Sequence, residues 1–160
     1  MIKVEVLPSR TLVGLSRTFI SAARENSNAQ QVIGPLWAEM SKVFFGLKLD
    51  RAEYPVGVGA MWPTSDFEST GSMVYFAGYE VNEAPKNLGG LEILNLDEAT
   101  YAVAEHVGEM SQLPAFIVNF YTKLLPESGL ERRDGIDLEI YVESPDSSQP
   151  MKAAIAAPIK

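Results

Sequence analysis

The sequence of 160 residues predicts an α+β fold, in which two β-β-α-β-β units form a curved antiparallel sheet with two helices on one face. Three observations support this fold class. Several segments alternate apolar and polar residues at period two, which is typical of strands, and two segments carry apolar residues at helical spacing. The same order of segments then occurs twice, on either side of a linker at residues 82–90 that contains one Pro and two Gly.

The first unit spans residues 1–81 and contains four predicted strands and one predicted helix. Strand patterns occupy residues 1–7, 11–16, 54–62 and 73–81, with a polar loop at 63–72. Gly57 and Gly59 within the third strand indicate a bulge or a close approach of another group. Pro35 suits the first turn of the helix, and Gly46 weakens its end. The apolar face of this helix comprises Ile33, Leu36, Trp37, Met40, Phe44 and Leu47.

The second unit spans residues 91–160 and repeats this order. Strand patterns occupy residues 91–96, 100–107, 136–142 and 153–159, with a turn-rich stretch at 143–150. The helix of this unit is expected to stop at Pro126 and Gly129. Its apolar face comprises Leu113, Phe116, Ile117, Phe120 and Leu124.

The two units align with each other, with Thr11 matching Thr100 and Gly57 matching Glu139. We therefore expect one domain over residues 1–160, made of pseudo-repeats 1–81 and 91–160. Joining the units buries the faces of the sheet and leaves a central ligand cleft near the pseudo-twofold axis.

Composition excludes several classes of function. The chain has a net charge of −8, and its 21 acidic residues outnumber 13 basic ones, which argues against direct binding of nucleic acid. It has no cysteine and one histidine, His106, so neither a thiolate nor a multi-histidine metal site is expected. The Gly57-Val58-Gly59 run is too short for a dinucleotide loop, so no cofactor is expected. No secretory signal or membrane-spanning run is present, and a cytoplasmic location is expected.

One strand near the C-terminus carries the strongest candidate for a functional residue. In residues 137–142 the apolar Leu138, Ile140 and Val142 alternate with Asp137, Glu139 and Tyr141. One interpretation places Glu139 and Tyr141 on the solvent face of an antiparallel sheet. The other places them in a concave aromatic pocket, where a lone carboxylate attracts an apolar cation.

Four motifs, taken in order, resemble the GyrI-like family, which includes the effector-binding domains of AraC- and MerR-type bacterial transcription activators. They are Val-Glu-Val-Leu-Pro-Ser-Arg-Thr-Leu-Val-Gly-Leu at 4–15, Pro-Leu-Trp at 35–37, Ala-Val-Ala-Glu-His-Val-Gly at 102–108 and Asp-Leu-Glu-Ile-Tyr-Val at 137–142. The resemblance implies a pocket for lipophilic, often cationic compounds, with an acidic residue on the penultimate strand. That residue is Glu139.

The sequence departs from the family pattern in three places. The family often has Gly-Pro-Tyr where Gly108 is followed here by Glu109-Met110, and its common Tyr-Asp pair is replaced by Tyr75-Phe76. The first strand starts at Ile2, and no helix-turn-helix precedes it. We therefore expect a stand-alone binding module without its own DNA-binding segment.

Aromatic residues and methionine are the expected walls of the pocket around Glu139. For the aromatic residues on helix faces, namely Trp37, Phe116 and Phe120, an ordinary place in the core is the alternative explanation. The turn 131–134, with mixed charges, is expected to be a solvated surface. The candidate ligand-binding residues are Glu139, Tyr141, Trp37, Trp62, Tyr75, Tyr79, Met40 and Phe120.

The sequence thus favours a module that binds or sequesters a lipophilic cation, with no residue assigned to catalysis. The alternative is a small hydrolase of reactive electrophiles that uses Glu139 as a general base in the same cleft. Its second carboxylate is not evident, although Glu80 and Glu105 are conceivable. A third hypothesis is a subunit that docks on a separate DNA-binding regulator, and a homodimer is also left open.

Overall fold

The computed structural model describes residues 1–144, 146 and 148–160, and within these residues it contains eight strands in one sheet. The strands are β1 (Lys3–Leu7), β2 (Arg10–Ile20), β3 (Val56–Pro63), β4 (Ser72–Val81), β5 (Glu92–Leu96), β6 (Ala99–His106), β7 (Asp137–Val142) and β8 (Lys152–Pro158). All eight strands were predicted from the sequence, with ends that differ by a few residues.

Two long helices accompany the sheet. Helix α1 is Ala29–Gly46, and α2 is a single turn at Phe67–Thr70. Helix α3 (113–127) is α-helical at Leu113–Asn119, π-helical at Phe120–Leu124 and α-helical again at Leu125–Glu127. None of the helices in the described part of the chain has both the length and the hydrophobicity of a membrane-spanning segment.

Details at the helix ends differ from the prediction. Helix α1 begins earlier than expected, because the Asn28 carbonyl accepts the N–H groups of residues 31 and 32, so Pro35 lies in the second turn. Pro126 lies just after the π-helical segment, and α3 ends one residue after it, at Glu127. The chain leaves the helix at Gly129, whose φ is +73°. The turn-rich stretch 143–150 includes Pro145 and Ser147, which lie outside the described residues.

The strand order is symmetric about the centre of the sheet. It runs β1-β6-β8-β7-β3-β4-β2-β5, and all neighbours are antiparallel. If β1, β2, β3 and β4 are exchanged with β5, β6, β7 and β8, respectively, the order reads the same in reverse. Strands β3 and β7 lie at the centre. The division into two pseudo-repeats remains a prediction, and this order is compatible with it.

The short connections force the sheet to curl. Strand β1 lies at one edge, whereas β2 is one strand from the opposite edge, yet only Pro8 and Ser9 join them. Because such a connection spans about 10 Å at most, the two edges must come close together. The side of the sheet away from the helices encloses the inner cluster: Leu7, Leu12, Val58, Ala60, Phe76, Leu96, Tyr101, Val103, Leu138, Ile140 and Ala156.

The other face of the sheet is covered by the two long helices, side by side. Helix α1 packs on β2 and β4 through Leu36, Met40 and Phe44, which forms the α1 cluster. Helix α3 packs on β6 and β8 through Leu113 and Phe120, which forms the α3 cluster. The central strands β3 and β7 run between the two helices. The predicted α+β class, with a curved antiparallel sheet and two helices on one face, is confirmed.

A glycine pair lets β2 and β4 approach closely. Gly14 and Gly78 are Cα partners in the ladder. A Cβ on Gly14 would lie 1.9 Å from the carbonyl oxygen of Ala77 and 2.6 Å from the Cα of Gly78. Both contacts are with backbone, so a side chain at this position requires the strands to separate.

We expect Gly14→Ala to lower the free energy of unfolding by about 2 kcal/mol or more, because overpacking against backbone has no flexible group to displace. Gly34→Ala is the matched control, since a Cβ there meets nothing within 4 Å on an exposed helix position. The control is expected to stabilise by about 0.5–1 kcal/mol. Urea unfolding measures both, and equal stability of the two variants would contradict the close approach.

Candidate functional site

Glu139 lies on β7 at the centre of the sheet. Its Cα partners are Gly59 of β3 and Ile155 of β8, and the next residue along this row is Ala77 of β4. The small residues at 59 and 77 leave space above the sheet on the helix face. The side chain of Glu139 occupies that face, where its carboxylate accepts a hydrogen bond of 2.9 Å from the Tyr141 hydroxyl.

The carboxylate of Glu139 is buried without a basic partner. Only 7% of the residue is exposed, and none of the ion pairs in the described residues involves it. Burial raises the pKa of Glu139 above its ordinary value of 4.5, and hydrogen bonds from Tyr141 and Tyr75 oppose part of that rise. The site therefore lacks one positive charge that a ligand can supply.

Tyr75 connects Glu139 to helix α1. It is fully buried, and its hydroxyl oxygen accepts a hydrogen bond of 2.9 Å from the indole N–H of Trp37. A Cβ on Gly59 would lie 2.0 Å from that hydroxyl oxygen, so glycine at 59 lets the Tyr75 ring cross the strand. The pKa of Tyr75 is raised well above 10.0, mainly by burial and next by the charge of Glu139.

Aromatic rings cover the carboxylate on the cleft side. The Trp37 ring meets Tyr141 edge-on at 5.7 Å between ring centres, and Tyr79 edge-on at 6.4 Å. A Cβ on Gly57 would lie 3.3 Å from the Trp37 ring, so this second glycine lets the indole lie low over β3. Edge-to-face contacts of this kind hold the three rings in a fixed arrangement.

A cleft of about 290 Å³ opens in front of these rings. It is lined by Ile33, Trp37, Arg51, Pro55, Gly57, Tyr79, Met110, Tyr141, Glu143 and Met151. Glu139 itself does not line the cleft, but Tyr141, whose hydroxyl donates to it, does. A ligand in the cleft thus contacts the rings of Trp37, Tyr79 and Tyr141.

A second carboxylate on the same strand face is already paired. Asp137 accepts two hydrogen bonds from Arg132, at 2.6 and 2.8 Å, and one from the Tyr121 hydroxyl at 3.0 Å. Burial nevertheless raises the pKa of Asp137, with Arg132 acting in the opposite direction. The sequence analysis assigned residues 131–134 to a solvated turn and missed this role of Arg132. Of the two carboxylates, only Glu139 has no charged partner among the described residues.

Five of the eight predicted ligand-binding residues meet at one place: Glu139, Tyr141, Trp37, Tyr75 and Tyr79. The other three lie elsewhere. Trp62 packs against the inner cluster, because it differs by an odd number of positions from Gly57 and Gly59 and so faces the opposite side of β3. Met40 and Phe120 are fully buried in the α1 and α3 clusters, and for Phe120 an ordinary place in the core was the alternative explanation.

The sequence analysis missed most of the cleft's outer lining. Arg51 and Pro55 precede β3, Met110 precedes α3, and Met151 precedes β8, so their positions depend on how the connections fold. Glu143 was missed too, although it continues the alternation of Glu139 and Tyr141, and that pattern could have found it. Among the described residues, no group of three or more His, Cys, Asp or Glu side chains is arranged to hold a metal ion.

The fold and this cleft define a small-molecule binding domain, and sequence comparison identifies its family. The sequence model of the GyrI-like small molecule binding domain matches residues 1–160. The chain belongs to the GyrI-like family, as its motifs predicted.

Individual relatives extend this comparison. The chain is 33% identical to Transcriptional regulator BrlR of Pseudomonas aeruginosa over 89 residues, which are 56% of this chain and 31% of BrlR. The structure of SAV2435 bound to tetraphenylphosphonium matches with a TM-score of 0.74 and 20% identity, covering 100% of this chain and 94% of SAV2435. The EcmrR C-terminal domain matches with a TM-score of 0.57 and 15% identity, covering 100% and 97%. At these identities the two structures show a shared fold.

We expect Glu139→Gln to stabilise the protein at about pH 8 by on the order of 1 kcal/mol. Because folding raises the pKa of Glu139, the folded wild type holds this proton more tightly. Its free energy of unfolding therefore falls as the pH rises from 4.5 through the folded pKa. Glutamine keeps a hydrogen-bond acceptor for the tyrosine hydroxyls and carries no charge.

Urea unfolding of both proteins across this pH range measures the difference, which should vanish below pH 4.5. Glu127→Gln removes an exposed carboxylate from the last turn of α3 and serves as the control for the loss of a surface charge. A Glu139→Gln variant that is less stable than wild type at about pH 8 would mean that the carboxylate has a compensating partner.

Proposed function

We propose that this domain binds lipophilic cations in the cleft beside α1, over β3 and β7, with Glu139 as the anchor for the positive charge. Trp37, Tyr79 and Tyr141 form the aromatic walls. The observation that carries this proposal is the buried carboxylate of Glu139. Among the described residues it accepts hydrogen bonds from tyrosine hydroxyls and forms no ion pair with a basic side chain.

Physical chemistry favours a cation over an anion or a neutral compound in this place. A buried carboxylate without a positive partner is costly, and an apolar cation removes that cost while keeping the site free of water. The neighbouring aromatic faces add about 0.5–2 kcal/mol each through cation–π contact. A hydrated cation such as an alkali ion gains less, because the walls offer it no oxygen ligands beyond the carboxylate and the hydroxyls.

The comparisons support the class of ligand. SAV2435, which shares this fold, was solved with tetraphenylphosphonium, a lipophilic cation. BrlR, which matches over part of its length, is a transcriptional regulator. A role in drug or effector binding for this chain is a proposal in line with both.

Fluorescence titration with methyltriphenylphosphonium and its neutral counterpart triphenylphosphine oxide tests the proposal. We expect wild type to prefer the cation, and Glu139→Gln to weaken cation binding by at least about tenfold while leaving the neutral compound unchanged. Cation binding should also weaken as the pH falls, because protonation removes the charge of Glu139. Equal affinity of Glu139→Gln for the cation would refute the proposed anchor.

The two tryptophans provide an internal control for the position of the site. Trp37 lines the cleft, whereas Trp62 packs against the inner cluster on the opposite face. Quenching by the cation should persist in Trp62→Phe and disappear in Trp37→Phe. Quenching that depends on Trp62 would place the bound compound on the other side of the sheet.

A hydrolase of reactive electrophiles is the second candidate, and the burial of the Glu139 carboxylate favours it. A carboxylate with a raised pKa is a stronger base and can take a proton from an attacking water. Mass spectrometry of strained or electrophilic compounds incubated with the protein tests this activity. Turnover that Glu139→Gln abolishes would establish the hydrolase, and unchanged compounds would leave binding as the function.

A part in transcriptional control is a separate proposal. Because the matched segment covers only 31% of BrlR, regulation by the whole of that protein is not carried over to this chain. Docking on a separate DNA-binding protein, formation of a homodimer and a cytoplasmic location also remain predictions. Co-purification from cells with a DNA-binding protein would support the regulatory proposal.

A further inference from the structure

Three residues of one strand face form a line from the buried floor of the site to its mouth. Glu139, Tyr141 and Glu143 alternate along β7 and the residue that follows it, so they share the helix face. The backbone N–H of Glu143 donates to the Pro55 carbonyl at 2.9 Å, so the extended pairing continues past Val142. Tyr141 and Glu143 line the cleft, with Glu139 behind.

The mouth of the cleft already contains a cation, which belongs to the protein. The Arg51 guanidinium contacts the Glu143 carboxylate at 2.5 and 3.4 Å. The same guanidinium lies 5.7 Å from the centre of the Phe45 ring. A carboxylate beside an aromatic face can bind an organic cation, and here Glu143 and Phe45 together bind the guanidinium of Arg51.

We propose that Glu143 and Phe45 form a second, outer cation subsite, and that the cleft takes elongated dications whose second charged group displaces Arg51. This inference rests on the proposed function, because Glu139 holds the first charge. It adds a chemical class of ligand, namely compounds with a lipophilic cation at one end and a guanidinium, amidinium or ammonium at the other.

Arg51 is held weakly enough to be displaced. Its side chain is 64% exposed and that of Glu143 is 31% exposed, and exposed ion pairs contribute little to stability. A ligand anchored at Glu139 presents its second cation to Glu143 at a high effective concentration. The released Arg51 loses little, because water replaces its contacts.

The spacing of the two carboxylates sets the length of the ligand. Glu139 and Glu143 are four residues apart on an extended strand, so their Cα atoms are separated by about 13 Å. Tyr141 lies midway and offers its ring to the linker between the charges. A shorter linker cannot reach both carboxylates, and a longer one loses effective concentration.

A series of ω-guanidinoalkyl triphenylphosphonium compounds, from butyl to dodecyl, tests the proposal against ω-hydroxyalkyl compounds of equal length. Affinities are measured by Trp37 fluorescence in the Trp62→Phe background at constant ionic strength. We expect the guanidinium to improve affinity by about two- to fivefold, with a maximum at the linker that spans about 13 Å.

Three variants assign that gain to the outer subsite. Glu143→Gln should abolish the gain, taken as the ratio of guanidinoalkyl to hydroxyalkyl affinity within the same variant, and Arg51→Gln should enlarge that ratio by removing the internal competitor. Glu127→Gln, an exposed position outside the cleft, should have no effect on either series. Each variant changes one exposed or half-exposed side chain, so folding is not at risk.

The outcomes separate the inference from the proposed function. If the hydroxyalkyl compounds bind through Glu139 and the guanidinium adds nothing, or its gain survives Glu143→Gln, the outer subsite is wrong and the proposed function stands. If binding of the hydroxyalkyl compounds does not depend on Glu139, the proposed function fails and the inference fails with it.

Discussion

The burial of one carboxylate without a positive partner is the constraint on which the site depends. Glu139 lies at the centre of the sheet, where the helices and the aromatic rings exclude water. Tyrosine hydroxyls are the groups that contact it among the described residues, and they stabilise the charge without neutralising it. Burying this carboxylate therefore lowers the free energy of unfolding, and packing elsewhere in the fold compensates for that loss.

Two glycines on the neighbouring strand make this burial geometrically feasible. Gly59 lies beside Glu139 and Gly57 lies beside Tyr141 in the β3–β7 ladder. Without side chains on these positions, the rings of Tyr75 and Trp37 lie across β3 and reach the carboxylate and its neighbour. The two central strands thus have different roles. Strand β7 carries the carboxylate of Glu139 and the hydroxyl of Tyr141, and the glycines of β3 leave room for the rings.

The sequence determined the secondary structure and the candidate anchor. Apolar strand patterns bounded by turn residues, several of them with period-two alternation, located all eight strands. Glu139 was identified from its place in mid-strand and from the family resemblance, and the glycines at 57 and 59 indicated the close approach that the rings make. Local patterns sufficed for these features, since each depends on a few neighbouring residues.

The tertiary structure alone decided which residues share the site. The curl of the sheet encloses the inner cluster, so the face of β3 that carries Trp62 is buried on the side opposite Glu139. The pairing of Asp137 with Arg132 leaves Glu139 as the carboxylate without a charged partner in the described residues, and the contact of Arg51 with Glu143 joins connections 92 residues apart. Such contacts depend on how distant segments pack, and no local pattern in a single sequence encodes them. The sequence therefore determined the elements and the anchor, and the packing decided what surrounds it.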